Sequence, residues 1–282
     1  MLYGIIQSVK YKKRSVSVVV RAVSIASGSK GNCIYVESDN TAVLIDDGLS
    51  LKSLESKFKE LNINPEKIDA ILLTHEHSDH LYGVKAFLNK YKKVKIYIPS
   101  FAQNFCLPGL IALPQKQVEW YSVSDFFIKD ITVSSFILPH DSHFCVGYSL
   151  LVGDKKVSVA TDLGKMSNQI LGNLSKSDIL FIESNHDEQL LRSNVKYTAR
   201  LKKRILSSQG HLSNRSCGEA LVYLVKTGVK QVILSHLSEE NNTPLLAYTT
   251  VKNVLRENGI IEGDHVCVDV AFQHQVGTIF NF

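Results

Sequence analysis

Directly after the apolar run Ile68-Asp69-Ala70-Ile71-Leu72-Leu73 stands Thr74-His75-Glu76-His77-Ser78-Asp79-His80. A strand-type run that delivers three imidazoles and Asp79 at its end leaves few folds open. It must belong to a sheet whose edge gathers further polar groups from other strands. Imidazole and carboxylate together suit borderline divalent ions, zinc first and manganese or iron next. A strand running into a loop can splay adjacent ligands around two such ions. A solvated polar turn is the plain competitor, but it has no need of so many ligating groups in so short a stretch.

The remaining chain supplies the sheet. The β-branched run 16–25 predicts a strand, in one piece or two, that stops at Ser27-Gly28-Ser29-Lys30-Gly31-Asn32. This loop either presents backbone N–H groups to an anion or forms a tight hairpin. Strands 33–37 and 42–45 follow, the second entering Asp46-Asp47-Gly48, where an aspartate either orients a neighbouring histidine or makes the turn. Leu51, Leu54, Phe58 and Leu61 recur at helical spacing behind a Ser50 cap and stop before Pro65. Beyond His80, the spacing of Leu81, Val84, Phe87, Leu88 and Tyr91 predicts a helix, and 95–98 a strand closed by Pro99. The alternation describes a sheet with helices outside.

Short runs at 118–123, 131–138, 146–152 and 157–160, with Gly153-Asp154 as a hairpin tip, predict a second, largely antiparallel sheet. Its strand ends are again polar: Pro139-His140-Asp141-Ser142-His143, then Thr161-Asp162, then Glu183-Ser184-Asn185-His186-Asp187 after the run 179–182. Gly210-His211-Leu212-Ser213-Asn214 precedes a helix starting near Ser213 or Asn214, whose N-terminal N–H groups would aim at a phosphate. A run at 229–234 delivers Ser235-His236, and a helix over about 244–257 precedes short terminal strands. Loop residues at successive strand ends converge on one edge.

With 282 residues and 44% hydrophobic composition, the chain has ample material for a packed core. No repeat, low-complexity stretch or linker divides it, so a single domain is expected over 15–282, preceded by an extension over 1–14. That start places Lys10, Lys12, Lys13 and Arg14 after Ile5-Ile6, the reverse of a secretory signal. No apolar run reaches the ~18 residues of a membrane span. Five scattered cysteines without C-x-x-C spacing read as reduced thiols of a cytoplasmic protein. A net charge of +5 admits a polyanionic partner without requiring one. The basic segment 192–207, with Lys196, Arg200, Lys202, Lys203 and Arg204, is either a solvated helical face or a phosphate-tracking surface.

Added together, the strand ends describe a two-metal site. His75, His77 and His140 would hold one ion, Asp79, His80 and His236 the other, with Asp162 bridging. Neutral imidazoles leave enough positive charge on the ions to acidify water, and a bridging carboxylate keeps them close. His140 is preferred to His143 as the distal ligand because it follows a strand and Pro139 directly.

This order of motifs resembles the metallo-β-lactamase-fold hydrolases over about residues 22–272. The resemblance implies an α/β (α+β) fold, a four-layer αββα sandwich. His211-Leu212-Ser213-Asn214 with the later Ser235-His236 looks like the nuclease-type end of tRNA 3′-processing enzymes. Ser27 to Asn32, Glu183 to Asp187 and Lys203 to Ser207 with Gly210-His211 are similar to the YycJ (WalJ)-like branch, exonuclease-like proteins linked to DNA repair. The interval from Asp162 to His236 is too short for the added domain of the large RNA-cleaving relatives. By this resemblance His75, His77, Asp79, His80, His140, Asp162 and His236 are metal ligands. Asp79, His211 and Glu183 are catalytic, His211 as proton donor or phosphate contact and Glu183 in support of the ligands. Ser29, Asn32, Asn185, His186, Ser213 and Asn214 are substrate contacts. The expectation is a hydrolase with two divalent ions that cleaves single-stranded nucleic acid from the 5′ end. The alternative is hydrolysis of a small ester, thioester or cyclic phosphodiester on the same metals. A nucleic-acid partner and no membrane are expected, and a homo-oligomer stays open.

Overall fold

The runs of β-branched and aliphatic residues pair into two sheets of 7 strands in this computed structural model, which describes residues 19–282. The expected extension over 1–14 and the first part of the expected strand 16–25 lie outside the described residues. In chain order the first six strands are β1 (Arg21–Ala26), β2 (Cys33–Glu37), β3 (Ala42–Ile45), β4 (Ile68–Leu72), β5 (Lys95–Pro99) and β6 (Val118–Tyr121). Then come β7 (Phe126–Ile128), β8 (Ile131–Ile137), β9 (Val146–Val152), β10 (Lys155–Ala160), β11 (Ile179–Glu183), β12 (Gln231–Ser235) and β13 (Cys267–Val270). The last, β14 (Phe280–Asn281), returns to β1, so the sheets run β14-β1-β2-β3-β4-β5-β6 and β13-β12-β11-β10-β9-β8-β7.

Alternation along the strands explains the layers. Val43 and Ile45, with Ala70 and Leu72, face Tyr148, Leu150, Val159 and Phe181 of the other sheet in one shared core. Their neighbours Leu44 and Ile71 turn outward beneath α1 (Leu51–Glu60), where Leu54 and Phe58 cover them. Side chains on a strand alternate between faces, and here both faces are buried, so the strands are apolar almost throughout. Between α1 and β5 lie α2 (Ser78–Leu81) and α3 (Val84–Lys90), and α4 (Pro108–Ile111) crosses from β5 to β6. On the second sheet, α5 (Asn168–Leu174) follows β10, and α6 (Glu188–Ser193) and α7 (Ala199–Ile205) follow β11. The outer cover there is α8 (Asn214–Lys226) and α9 (Pro244–Glu257), whose Leu221, Leu224, Val251 and Leu255 pack on Leu180, Ile182, Val232 and Leu234. The result is the expected four-layer αββα sandwich. Each such side chain, fully buried, stabilises the fold by about 1.5–3 kcal/mol.

Two expectations need correction. The strand expected at 118–123 in the second sheet is β6, which pairs parallel with β5 at the edge of the first, Tyr97 opposite Glu119. The second sheet begins instead with β7, antiparallel to β8. The helix expected beyond His80 is broken at Gly83, where a Cβ would collide with the carbonyl oxygen of Leu49. For function, what matters is the direction of the strands. β3 and β4 are parallel, as are β10, β11 and β12, so each group ends together.

Candidate metal centre

Those strand ends meet. His75 and His77 follow β4, His80 lies within α2, Asp162 follows β10 and His236 follows β12. Ligating atoms of His75, His77 and His140 lie within 4.8 Å of one another, and so do those of Asp79, His80 and His236. A third group, His75, His80 and Asp162, joins the two under the same limit. Asp46, Asp162 and His236 adopt left-handed backbone, with φ of 63°, 62° and 56°. Aspartate and histidine are among the few non-glycine residues that tolerate this region, at a strain of order 1–3 kcal/mol each. Each strand therefore breaks sharply at the residue that enters or braces the centre.

The histidines are held by the nitrogen that faces away. His80 Nδ1 donates to Asp46 Oδ2 at 2.7 Å. His236 Nδ1 and His211 Nδ1 both donate to Glu183 Oε1, at 2.9 and 2.8 Å. His140 Nδ1 donates to the carbonyl of Gly210 at 3.2 Å. His75 Nδ1 donates to Thr74 Oγ1 at 3.0 Å, and that hydroxyl in turn donates to Asp46 Oδ2 at 2.8 Å. Because a carboxylate or carbonyl can only accept, each neutral ring carries its proton on Nδ1 and turns the lone pair of Nε2 to the centre. Metal-binding histidines are held in this way. His75 Nε2, His236 Nε2 and Asp162 Oδ2 are buried with no hydrogen-bond partner. Buried polar atoms rarely go unpaired. Such atoms, each within one of the ligand groups above, fit divalent cations, which these residues would hold.

Charge reinforces the fit. Burial alone would lower His236, but Asp162, then Asp79 and Glu183, raise it to about 10. The same contest, won by Asp46, Asp162 and Asp79, raises His80. Burial lowers His75, which has no carboxylate of its own. Burial pushes Glu183 up, but the His211 charge and hydrogen bond outweigh it and hold the carboxyl down at about 2. The centre is thus a cage of carboxylates that attracts positive charge whether it arrives as protons or as metal.

Not every expected residue is placed where it can meet a substrate. Asn32 is at the centre: its Nδ2 lies 3.0 Å from His80 Nε2 and 3.3 Å from Asp79 Oδ2, while its Oδ1 accepts from Gly28 N-H at 2.8 Å. The Gly/Ser loop is accordingly the hairpin between β1 and β2, and Ser29 at its tip is exposed. Gly48 is required beside it, because a Cβ there would collide with the carbonyl of Asp79. Asn185, His186, Ser213 and Asn214 are buried. The Asn185 amide donates to the His236 carbonyl at 2.8 Å, Ser213 Oγ caps α8 by accepting from Ser216 N-H, and Asn214 bonds Ser184 and Asn242. At the start of α8, Asn214 N-H is taken by the carbonyl of His186 and Ser216 N-H by Ser213 Oγ. His186 is buried and, with its basicity lowered to about 4 by burial, neutral. His143 is on the surface, bonded to Glu76 Oε1 at 2.8 Å, and stays outside the groups that gather around the centre. Asp46, one of the strand-end aspartates expected either to orient a histidine or to make the turn, braces His80 and Thr74. Arg204 of α7 pairs with Asp141, the neighbour of His140.

Residues 26–211 match the family model of the metallo-beta-lactamase superfamily. The chain belongs to this superfamily. Among curated metallo-beta-lactamase relatives, the Exodeoxyribonuclease WalJ of Streptococcus pneumoniae is 38% identical over 237 residues, covering 83% of this chain and 87% of that protein. The Exodeoxyribonuclease YycJ of Bacillus anthracis is 35% identical over 241 residues, covering 85% of this chain and 90% of that protein. The metallo-beta-lactamase fold protein YhfI of Bacillus subtilis superposes with a TM-score of 0.67 at 15% identity, covering 94% of this chain and all of that one. The expected branch therefore stands, and with it a metal-dependent hydrolase. Among the described residues, no helix is long and apolar enough to cross a membrane.

Proposed function

We propose that this chain is a two-metal exodeoxyribonuclease that shortens single-stranded DNA from its 5′ end, in the cytoplasm and in the service of DNA repair. The observation that carries the reading is the fork at Glu183. One carboxylate oxygen holds both His236, facing the metal centre, and His211, whose ring is 20% exposed at its rim. His75, His77 and His140 would hold one ion, and Asp79, His80 and His236 the second, with Asp162 between them. When bound, zinc, or manganese or iron in its place, acidifies water and offsets charge on phosphate oxygens.

The chain's own residues do the rest. Burial would lower the basicity of His211, but Glu183 and then Asp162 raise it, and Nδ1 bonded to Glu183 leaves Nε2 as the ring atom to hand a proton to the departing oxygen. Glu183 stabilises that cation and fixes its direction. The Asn32 amide sits against Asp79 Oδ2 and His80 Nε2, the two atoms that would turn to the metal, while Asp46 on Nδ1 holds the direction of His80. The likeness to named exodeoxyribonucleases over most of both chains supports nucleic acid over small esters, thioesters or cyclic phosphodiesters.

Replacing Asp79 with Ala is expected to abolish metal-dependent cleavage of end-labelled single-stranded DNA. His211→Ala is expected to retain metal, measured by elemental analysis, while turnover falls by about 10²–10⁴. Undiminished cleavage by the Asp79 variant, with the small substrates preferred to DNA, would remove the reading.

A further inference from the structure

A cavity of about 480 Å³ opens beside the metal centre, between the β1–β2 hairpin, the start of α1 and the turn from α2 to α3. Its walls include Ser29, Lys30, Ser53, Lys57 and Tyr82, and Asp79 closes the side that faces the metals. That size suits a small ligand or one residue of a polymer.

The charges in it are unevenly matched. Lys30 pairs with Glu239 Oε2 at 2.6 Å, and Glu239 also accepts from His274 Nε2 at 3.0 Å. Lys57 is half-buried and donates to the backbone carbonyl of His274 at 2.9 Å. Among the described residues it forms no ion pair. An ammonium drawn partly out of water without an anion is unfavourable, and a phosphate oxygen would repair the deficit with a charge-assisted bond. The hydroxyls of Ser29 and Ser53 stand beside it as further donors. At the mouth, Tyr82 is 69% exposed, a flat ring of the kind on which bases stack.

Resting on the nuclease reading above, we propose that this cavity receives the terminal nucleotide of the DNA strand, its terminal phosphate on Lys57 and its base against Tyr82. The phosphodiester bond beyond that nucleotide then lies across Asp79 at the metals. A cavity of this size holds one terminal residue, which favours action at ends over action within a strand. The contacts recognise a phosphate and a base and leave the sequence unread.

Binding and cleavage test this separately. The metal-free protein is titrated with thymidine 5′-monophosphate, thymidine 3′-monophosphate and thymidine, following Tyr82 and Lys57 by NMR. Thymidine 5′-monophosphate is expected to bind about tenfold or more tighter than the nucleoside and the 3′ isomer, as a strand entering by its 5′ end requires. Lys57→Gln should erase the preference, Lys57→Arg should keep it, and Tyr82→Ala should weaken nucleotide and nucleoside together by about tenfold. In cleavage, kcat/KM should favour strands carrying the matching terminal phosphate over the hydroxyl-ended strand, in the wild type and in Lys57→Arg alone. Equal binding of nucleotide and nucleoside, or a phosphate preference that survives Lys57→Gln, overturns the proposal. A wild-type protein that cleaves no DNA at all sinks the nuclease reading instead, and the binding result distinguishes the two.

Discussion

Glu183→Gln is the most informative single substitution, because one buried carboxylate serves four donors. Its Oε1 accepts from His211 and His236 at 2.8 and 2.9 Å, and its Oε2 from the backbone N-H groups of Leu163 and Leu212 at 3.0 and 2.9 Å. Glutamine has the same shape but only one acceptor oxygen. Whichever way the amide turns, its NH2 meets two donors, so two bonds to a charged acceptor are lost, about 3–6 kcal/mol if nothing relaxes. Relaxation is available on one side only. If the NH2 faces the imidazoles, both can shift their proton to Nε2, which restores the hydrogen bonds but turns N–H groups toward the metal centre. The loss then moves from stability to function. Metal affinity at the His236 site should fall by about 10–100-fold, the usual effect of removing such a brace. Turnover should fall further, since His211 loses both the acceptor that orients it and the charge that raises its basicity. Zinc affinity is measured against a chromophoric chelator and turnover on end-labelled single-stranded DNA, with thermal melts as the stability control. Wild-type zinc affinity together with wild-type turnover in a folded Glu183→Gln protein would refute the bracing role.

Two further outcomes follow from the same geometry. Removing metal with a chelator should lower the melting temperature and abolish cleavage, and zinc at a hundredfold its dissociation constant should restore about 2.7 kcal/mol of stability per site; a melting temperature indifferent to metal would count against the buried, unpartnered His75 and His236 nitrogens as ligands. In the basic segment, Lys196 pairs with Glu240, Lys202 donates to the Arg192 carbonyl and Arg204 pairs with Asp141. Arg200 and Lys203 are exposed and, among the described residues, form no ion pair. Arg200→Gln with Lys203→Gln should reduce the slope of log affinity against log salt for single-stranded DNA by up to about 1.4, and an unchanged slope would make α7 a plain solvated face.

The sequence by itself determined the pieces of this protein and much of its chemistry. The unbroken apolar run Ala42–Ile45 and the helical spacing of Leu51, Leu54, Phe58 and Leu61 are local, and a local pattern survives without knowledge of partners. The ligating residue types at strand ends were equally legible, because imidazole and carboxylate in quick succession have few other uses. What the tertiary structure decided were matters of distance along the chain. The run 118–121 carries no mark of which sheet it joins, since a short apolar strand can complete either edge. The turn at Gly83 divides a helix-like pattern, and only glycine fits there because the carbonyl oxygen of Leu49, distant in sequence, lies where a Cβ would stand. Asn185, Ser213 and Asn214 have the composition of a substrate loop, yet within the fold Asn185 and Asn214 bond His236, Ser184 and Asn242, and Ser213 bonds Ser216 and Glu188. Lys57 looked like one charge on an amphipathic helix, until the carbonyl of His274, 217 residues away, set it in the wall of a cavity beside Asp79. Residue type and spacing are written in the chain, but which distant atoms absorb a polar group, and which leave it open to a ligand, is settled only when the layers pack.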